Sequence, residues 1–257
     1  MYLLIIPLGA SVQFIPIKGL PLVKRGDDLG ELILQAATKQ GLDIEQGNIV
    51  VVAQSVVSKA EGNIVDLRKV KPRKLASEIA ARLEKDPREV EVILQQSSEI
   101  VRLAHVIISR THHGFVCANA GVDHSNAGAE HVTTLPDDPD ASAAKIREVL
   151  RRRLRVDIAV IVTDTQGRPF RLGCVGVTLG VAGMNPLLDL RGKRDLYGKE
   201  LRATITSPAD ALAAAAVAVM GEAKEGTPVV LVKGAMYEQG DGTVRELIRP
   251  PERDLFR

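Results

Sequence analysis

Two aspartates stand where a carboxylate could meet a hard metal ion. Asp123 lies within NAGVDHSNAG, residues 119–128, which crowds Asn, Asp, His and Ser among residues with almost no side chain. A turn needs only one Asn or Asp and one Gly, so the stretch reads either as an over-polar turn or as a site whose small residues leave clearance for a ligand. Asp164 lies within IAVIVTDTQGRPF, where an apolar strand is expected to end in Thr163, Asp164 and Thr165 and to turn at Gly167, with Arg168 beyond. An Asx turn would account for it. So would an oxygen-rich site for magnesium or manganese, built from carboxylates on two loops and completed by substrate phosphates.

Three further stretches carry polar groups beside apolar segments. IVVVAQSVVSKAEG leaves a buried strand and presents Gln54, Ser55, Ser58 and Lys59. Such donors suit phosphate oxygens, although the glycines of a Walker motif are missing and a loop with a cap explains them equally well. MGEAKEGTP places Glu222 just past a helix stop at Gly221, where a carboxylate opposes the helix dipole and a cation would offset the cost. PIKGLPLVKRGDD places Gly19 and Pro21 between a strand and a capped helix, either as a backbone-lined loop or as a simple connector. Together these residues describe phosphoryl transfer without naming a substrate.

The elements that must position them are legible from caps and periodicity. DDLGELILQAATKQG has Asp28 and Glu31 as a capping box, with Gly41 as a stop. DPREVEVILQQSS has Asp86 as cap, Pro87 at the first helical position and Glu89 closing the box. DASAAKIREVLRRRLR is expected to start at Asp140, and SPADALAAAAVAVMG at Ser207. NIVVVA, HVIISR, GFVCA, DIAVIVT, CVGVTLG, RATITS and PVVLVKG read as strands, with SRTHHGFV as a hairpin. Irregular alternation of helices and strands gives the class α+β, in one catalytic unit spanning residues 1–257.

Bulk properties exclude several partners. With 34 basic and 32 acidic residues, a net charge of +2 and no Trp, the chain lacks the basic field and stacking surface of a nucleic-acid binder. Cys117 and Cys174 each lie alone in a strand-like segment, and both are expected to be buried free thiols. MYLLIIPLGA lacks a basic n-region and is too short for a membrane span, which places the protein in the cytoplasm. Arg151, Arg152, Arg153 and Arg155 read as a solvated helix face, and His112 and His113 as turn surface.

GLPLVKRGDDL, VVSKAEG, CANAGVDHSN, VIVTDTQGRPFR, GKRDLYGKEL and MGEAKEGTP occur in this order and spacing, and in this the chain resembles the coenzyme F420-0:L-glutamate ligases, also called gamma-glutamyl ligases, from about Phe14 to about Gly234. The resemblance implies a two-lobed α+β fold, an intertwined homodimer, and a GTP-dependent amide ligase. Such an enzyme adds L-glutamate to coenzyme F420-0 and then further gamma-linked L-glutamate. By motif, Asp123 and Asp164 would hold a first divalent ion, magnesium or manganese, and Thr165 and Glu222 a second. Gly19, Leu20, Pro21, Leu22, Val23, Gln54, Ser55, Lys59, Asn126, Met220, Gly221, Glu222, Ala223, Lys224, Glu225, Gly226 and Thr227 would line the GTP site. Potassium dependence is implied by the resemblance alone. Residues 1–11 extend before the family's usual start, Lys18 stands where an acidic or neutral residue is common in the family, and Gln54 falls at a variable position. The alternative chemistry for the same carboxylates is a metal-dependent phosphohydrolase acting on a nucleotide or phosphorylated small molecule.

Overall fold

A computed structural model describes residues 11–125 and 127–254, so the extension at residues 1–10 and the proposed contact Asn126 lie outside the described residues. The strands are β1 (Gln13–Pro16), β2 (Ile49–Ala53), β3 (Ile64–Asp66), β4 (Ser97–Leu103), β5 (Ile107–Thr111), β6 (Val116–Ala118), β7 (His131–Thr133), β8 (Ala159–Arg168), β9 (Arg171–Ala182), β10 (Leu188–Asp189), β11 (Ile205–Thr206) and β12 (Val229–Lys233). The helices are α1 (Leu29–Lys39), α2 (Gln54–Glu61), α3 (Lys74–Leu83), α4 (Pro87–Gln95), α5 (Pro139–Leu154) and α6 (Pro208–Met220). The architecture is mixed α/β.

The main sheet has the order β1-β12-β2-β8-β9. Only the central pair β2/β8 is parallel; its neighbours pair antiparallel. At its centre, residues 49–53 of β2 and 159–162 of β8 are apolar throughout because both faces are covered. Val50, Val52, Val160 and Val162 pack with Ile33 of α1 and Ile146 and Leu150 of α5. Ile49, Val51, Ala159 and Ile161 point the other way, onto Leu212, Ala213 and Ala216 of α6. The small residues of α6 allow a close approach: a Cβ on Gly176 of β9 would lie 2.5 Å from the Ala213 carbonyl oxygen.

A parallel pair needs a long crossover. Here the chain between β2 and β8 builds a second core, in which Ile79 and Ala80 of α3 and Val90 and Ile93 of α4 close on Ile107 of β5 and Val132 of β7. Buried Glu91 ties the two helices by accepting from the Arg73 backbone N–H at 2.9 Å and its Nε at 2.7 Å.

Several expectations change. Residues 54–61 form helix α2 instead of a loop, because Val56 and Val57 bury against the sheet. Helix α5 is capped by Asp138, which accepts from the Ala141 N–H, while Asp140 turns inward to accept from the Val181 and Val244 N–H groups. Asp86 caps α4 through the Arg88 N–H, and the Glu89 side chain is turned to Lys85 and His124. Helix α3 carries no cap signal in the sequence, since no side chain caps it and Glu84 ends it in the left-handed region. RATITS contributes only Ile205 and Thr206, and Cys174 is exposed, whereas Cys117 is buried. The arginines of α5 are solvated as expected, with Arg151 paired to Asp157 and Arg153 to Glu31.

Gly180 of β9 is pressed against the Pro139 carbonyl so tightly that a methyl group there must displace α5. Gly180→Ala should therefore lower stability by about 1–3 kcal/mol, as overpacking in a tight core does; chemical denaturation measures it, and an unchanged midpoint would mean that α5 yields freely.

Candidate functional site

The register of the sheet brings separate stretches to one edge. Ala53 at the end of β2 pairs with Thr163 of β8. The Ala53 N–H donates to the Pro228 carbonyl at 2.8 Å, and the Ile17 N–H to that of Val229 at 2.9 Å. So residues 19–23, the start of α2, Asp164, and residues 220–227 all leave from the same edge. Strand β8 does not end there, as expected, but runs through Arg168 as one arm of the β8–β9 hairpin. Asp164 and Thr165 thus sit in a β-ladder opposite Val177 and Gly176, held more firmly than a loop would hold them.

Asp123 reaches this edge from the second core. It bridges Thr133 through paired backbone bonds of 3.1 and 2.8 Å, and its Oδ1 accepts from the Ser125 N–H at 3.0 Å. The preceding turn holds Asn119 and Ala120 at φ 52° and Gly121 at φ 72°. Left-handed backbone at two successive non-glycine residues is uncommon. Part of the fixing comes from Asn119 Oδ1, which accepts from the Ile107 N–H. Leu135 lies beneath Gly121, where a Cβ would meet its Cδ2 at 2.6 Å. The polarity and small size of residues 119–121 are therefore explained by this turn, and the carboxylate of Asp123 is still carried to the sheet edge. His124 pairs with Glu89 at 3.1 Å.

Asp123 and Glu222 each lie within electrostatic reach of Asp164. Burial pushes the Asp164 carboxyl up to about 6, against hydrogen bonds from Gln166 and the Thr165 N–H, and the negative charges of Asp123 and Glu222 add to the rise. Thr165 Oγ1 donates to Glu222 Oε1 at 2.7 Å. Among the described residues none of the three carboxylates makes an ion pair. Lys59 of α2 lies within electrostatic reach of Asp123: burial pushes its ammonium below the ordinary value while the charge of Asp123 opposes that shift. Clustered, unpaired carboxylates with a hydroxyl form an all-oxygen donor set, which fits a hard divalent cation. Among the described residues no three His, Cys, Asp or Glu side chains close into a ready-made metal cage, so part of any coordination shell would come from a ligand.

The phosphate-friendly groups divide. Gln54 and Ser58 are buried, with Gln54 Nε2 donating to Ser58 Oγ and to the Thr134 carbonyl, which Ser58 Oγ also meets at 2.6 Å. Ser58 is thus a structural clamp between α2 and the Asp123 segment, and the Gln54 amide N–H groups are spent on it too. Ser55 and Lys59 remain partly exposed. The N-cap Ala53 offers no side-chain bond, so the first N–H groups of α2 are left for an anion. Residues 220–227 are closed on themselves, Thr227 Oγ1 donating to the Met220 carbonyl at 2.9 Å and the Ala223 N–H to Glu225 at 2.8 Å. Gly221, Glu222, Ala223, Lys224, Glu225 and Gly226 are exposed, while Met220 is buried. Gly19, Pro21 and Leu22 are exposed; Leu20 and Val23 lean on the core.

Sequence reasoning missed Gln166, whose Nε2 donates to Asp164 Oδ2 at 3.2 Å. It also missed that Cys117 stands beside the site, its thiol pushed up to about 12 by burial and by the charge of Asp164. Neither had a signal short of the β-ladder. Among the described residues no helix is long and apolar enough to cross a membrane.

Residues 18–234 match the family model described as F420-0:Gamma-glutamyl ligase. The chain belongs to this family. It is 51% identical over 250 residues to the coenzyme F420:L-glutamate ligase of Methanothermobacter thermautotrophicus, covering 96% of this chain and 99% of that one. The enzyme of the same name from Methanocaldococcus jannaschii is 46% identical over 241 residues, covering 93% and 94%. That of Archaeoglobus fulgidus is 40% identical over 246 residues, covering 96% of each. All four converging stretches of this F420-0:gamma-glutamyl ligase family member fall within or at the margin of the matched span.

If the three carboxylates repel one another, Asp164→Asn should hold or raise the melting temperature in the absence of divalent ions and abolish any rise on adding Mn2+ or Mg2+. Calorimetric scans measure both; a destabilised variant that still responds to the ion would contradict the arrangement.

Proposed function

We propose that the chain is a GTP-dependent ligase that joins L-glutamate to coenzyme F420-0, and then further gamma-linked L-glutamate, in the biosynthesis of coenzyme F420. The observation that carries the reading is the meeting of Asp123, Asp164, Thr165 and Glu222 at the edge where α2 begins, in a member of this family. The names of the relatives supply L-glutamate and coenzyme F420.

A carboxylate is a poor electrophile, so amide formation calls for its activation. The acceptor carboxylate attacks the γ-phosphorus of GTP, breaking the bond to the β-γ bridging oxygen and releasing GDP. The resulting acyl phosphate is attacked at carbon by the glutamate amine, which loses a proton as inorganic phosphate departs. Two divalent ions, held by Asp123 and Asp164 and by Thr165 and Glu222, would neutralise the phosphate charge and align the transfer. The chain's own part is to fix these oxygens on a β-ladder and a strained turn, to offer the N–H groups of α2 to phosphate oxygens, and to set Lys59 beside Asp123. Gly19 to Val23, Ser55, Asn126 and residues 220–227 would form the remaining nucleotide contacts, with potassium as a further ion, in the cytoplasm.

The reading includes a two-lobed, intertwined homodimer. It is supported by apolar side chains on projecting segments: Leu172 is 99% exposed near the tip of the β8–β9 hairpin, and Leu196 and Tyr197 are 101% and 97% exposed between β10 and β11. Exposure of this kind on arms calls for a covering surface. Leu172→Asp combined with Tyr197→Asp should convert a dimer to a monomer in sedimentation equilibrium; a wild-type monomer would refute the dimer.

Incubation with F420-0, L-glutamate, GTP and manganese should yield products heavier by successive glutamate increments in mass analysis. Asp123→Asn should cut turnover about a hundredfold or more, the scale of losing one preorganised electrostatic group. Phosphate release from GTP that needs neither glutamate nor F420-0 would instead identify a phosphohydrolase.

A further inference from the structure

Gln166 stands beside Asp164 and has no part in the chemistry above. Side chains two apart on a strand share a face, and Asp164 and Gln166 lie in the β8–β9 ladder opposite Val177 and Val175. Gln166 Nε2 donates to Asp164 Oδ2 at 3.2 Å. The ladder holds the backbone of both residues, so the amide fixes the carboxylate through one oxygen, and it does so without a charge.

Elsewhere in the chain the same spacing ends in a cation. Asp66 is closed by Arg68 at 2.8 Å, Asp86 by Arg88 at 2.6 Å and Asp189 by Arg191 at 2.5 Å. A guanidinium can take both oxygens of a carboxylate and offset its charge, as Arg68 does with Asp66 and Arg191 with Asp189. A carboxylate closed in this way has little left for a metal ion. At Asp123 the residue two places on is Ser125, whose backbone N–H donates to Oδ1. Both proposed ligands of the first ion are thus tethered by a neutral donor at the position where three other aspartates meet an arginine.

The surroundings of Gln166 do not lack cations. It also lines a cleft of about 490 Å³ between the β5–β6 hairpin, β9 and residues 244–254, with Arg110, His113 and Thr178 along it and the exposed Arg245 and Arg249 on its rim. Arg110 is paired with Glu99 at 3.0 Å, and among the described residues none of these arginines pairs with Asp164. A neutral side chain is what touches both the carboxylate and the arginine-rimmed cleft.

We propose that Gln166 is a positioning residue of the metal site, its uncharged amide fixing the Asp164 carboxylate for a divalent cation while leaving the carboxylate's charge unspent; this role rests on the reading above, in which Asp164 is a metal ligand. Loss of a group that orients a metal ligand typically lowers metal affinity about 10–100-fold.

Electron paramagnetic resonance and calorimetry measure Mn2+ binding, for the ion alone and with a non-hydrolysable GTP analogue, in wild type, Gln166→Met and Gln166→Arg, and thermal scans compare the three without the ion. Gln166→Met keeps the side chain's length and loses the donor, so the Kd for Mn2+ should rise about tenfold. Gln166→Arg should form the ion pair seen at the other three aspartates, which raises the melting temperature without the ion and raises the Kd about a hundredfold or more. A glutamine that only stabilised the hairpin would move the melting temperature and leave the Kd alone. Either variant binding Mn2+ with wild-type affinity overturns the positioning role and leaves the metal site standing; wild type that binds no Mn2+ under either condition overturns both.

Discussion

The parallel pairing of β2 with β8 is the constraint on which the rest depends. Two parallel neighbours carry their C-terminal ends to the same edge, so pairing Ala53 with Thr163 places the start of α2 beside Asp164. The same pairing forces the chain to cross from one strand to the other by a long route. That route is where the second core forms and where Asp123 is held between Thr133 and the strained turn at Asn119 and Ala120. Antiparallel β12 and β1 add the residue 220–227 loop and residues 19–23 to the same edge. No loop needs to be long to reach it.

Charge at that edge runs against stability. Asp164 lies within electrostatic reach of Asp123 and Glu222, none of the three in an ion pair among the described residues, and burial with this repulsion raises Asp164 to about 6. The fold tolerates this because two of the three anchors cannot relax, Asp164 being laddered to β9 and Asp123 bonded through its own backbone, while Glu222 sits on the exposed 220–227 loop. The covered sheet supplies the offsetting stability, with Val50 to Val52 and Val160 to Val162 wholly buried. Sites that break the usual rules of pairing are where function concentrates.

The β8–β9 hairpin serves three purposes along its length. Its base belongs to the sheet core, its middle carries Asp164 and borders the arginine-rimmed cleft, and its far end projects Leu172. Gln166 joins the middle regions, since its amide holds Asp164 while its residue lines the cleft. A single rigid ribbon therefore keeps two neighbouring surfaces in fixed relation.

The sequence by itself determined most elements and the chemistry of the edge. Capping residues such as Asp28, Asp86 and Ser207, and runs of Val and Ile, are local signals that act within a few residues, so α1, α4, α6 and the main strands were legible. So were Asp123, Asp164 and Glu222 as carboxylates to single out, because a carboxylate beside small residues is conspicuous in any context. Tertiary structure alone decided that TDTQGR is strand, that QSVVSKAE is helix, and that Asp140 faces inward while Asp138 caps. It also decided that Ser58 is a clamp and that Gln166, Arg110, His113 and Thr178 border one cleft. Those outcomes depend on partners far along the chain, such as Val177 opposite Asp164 and Thr134 beneath Gln54. Burial and pairing with distant residues override local preference, and no spacing in the sequence records which distant residues will meet.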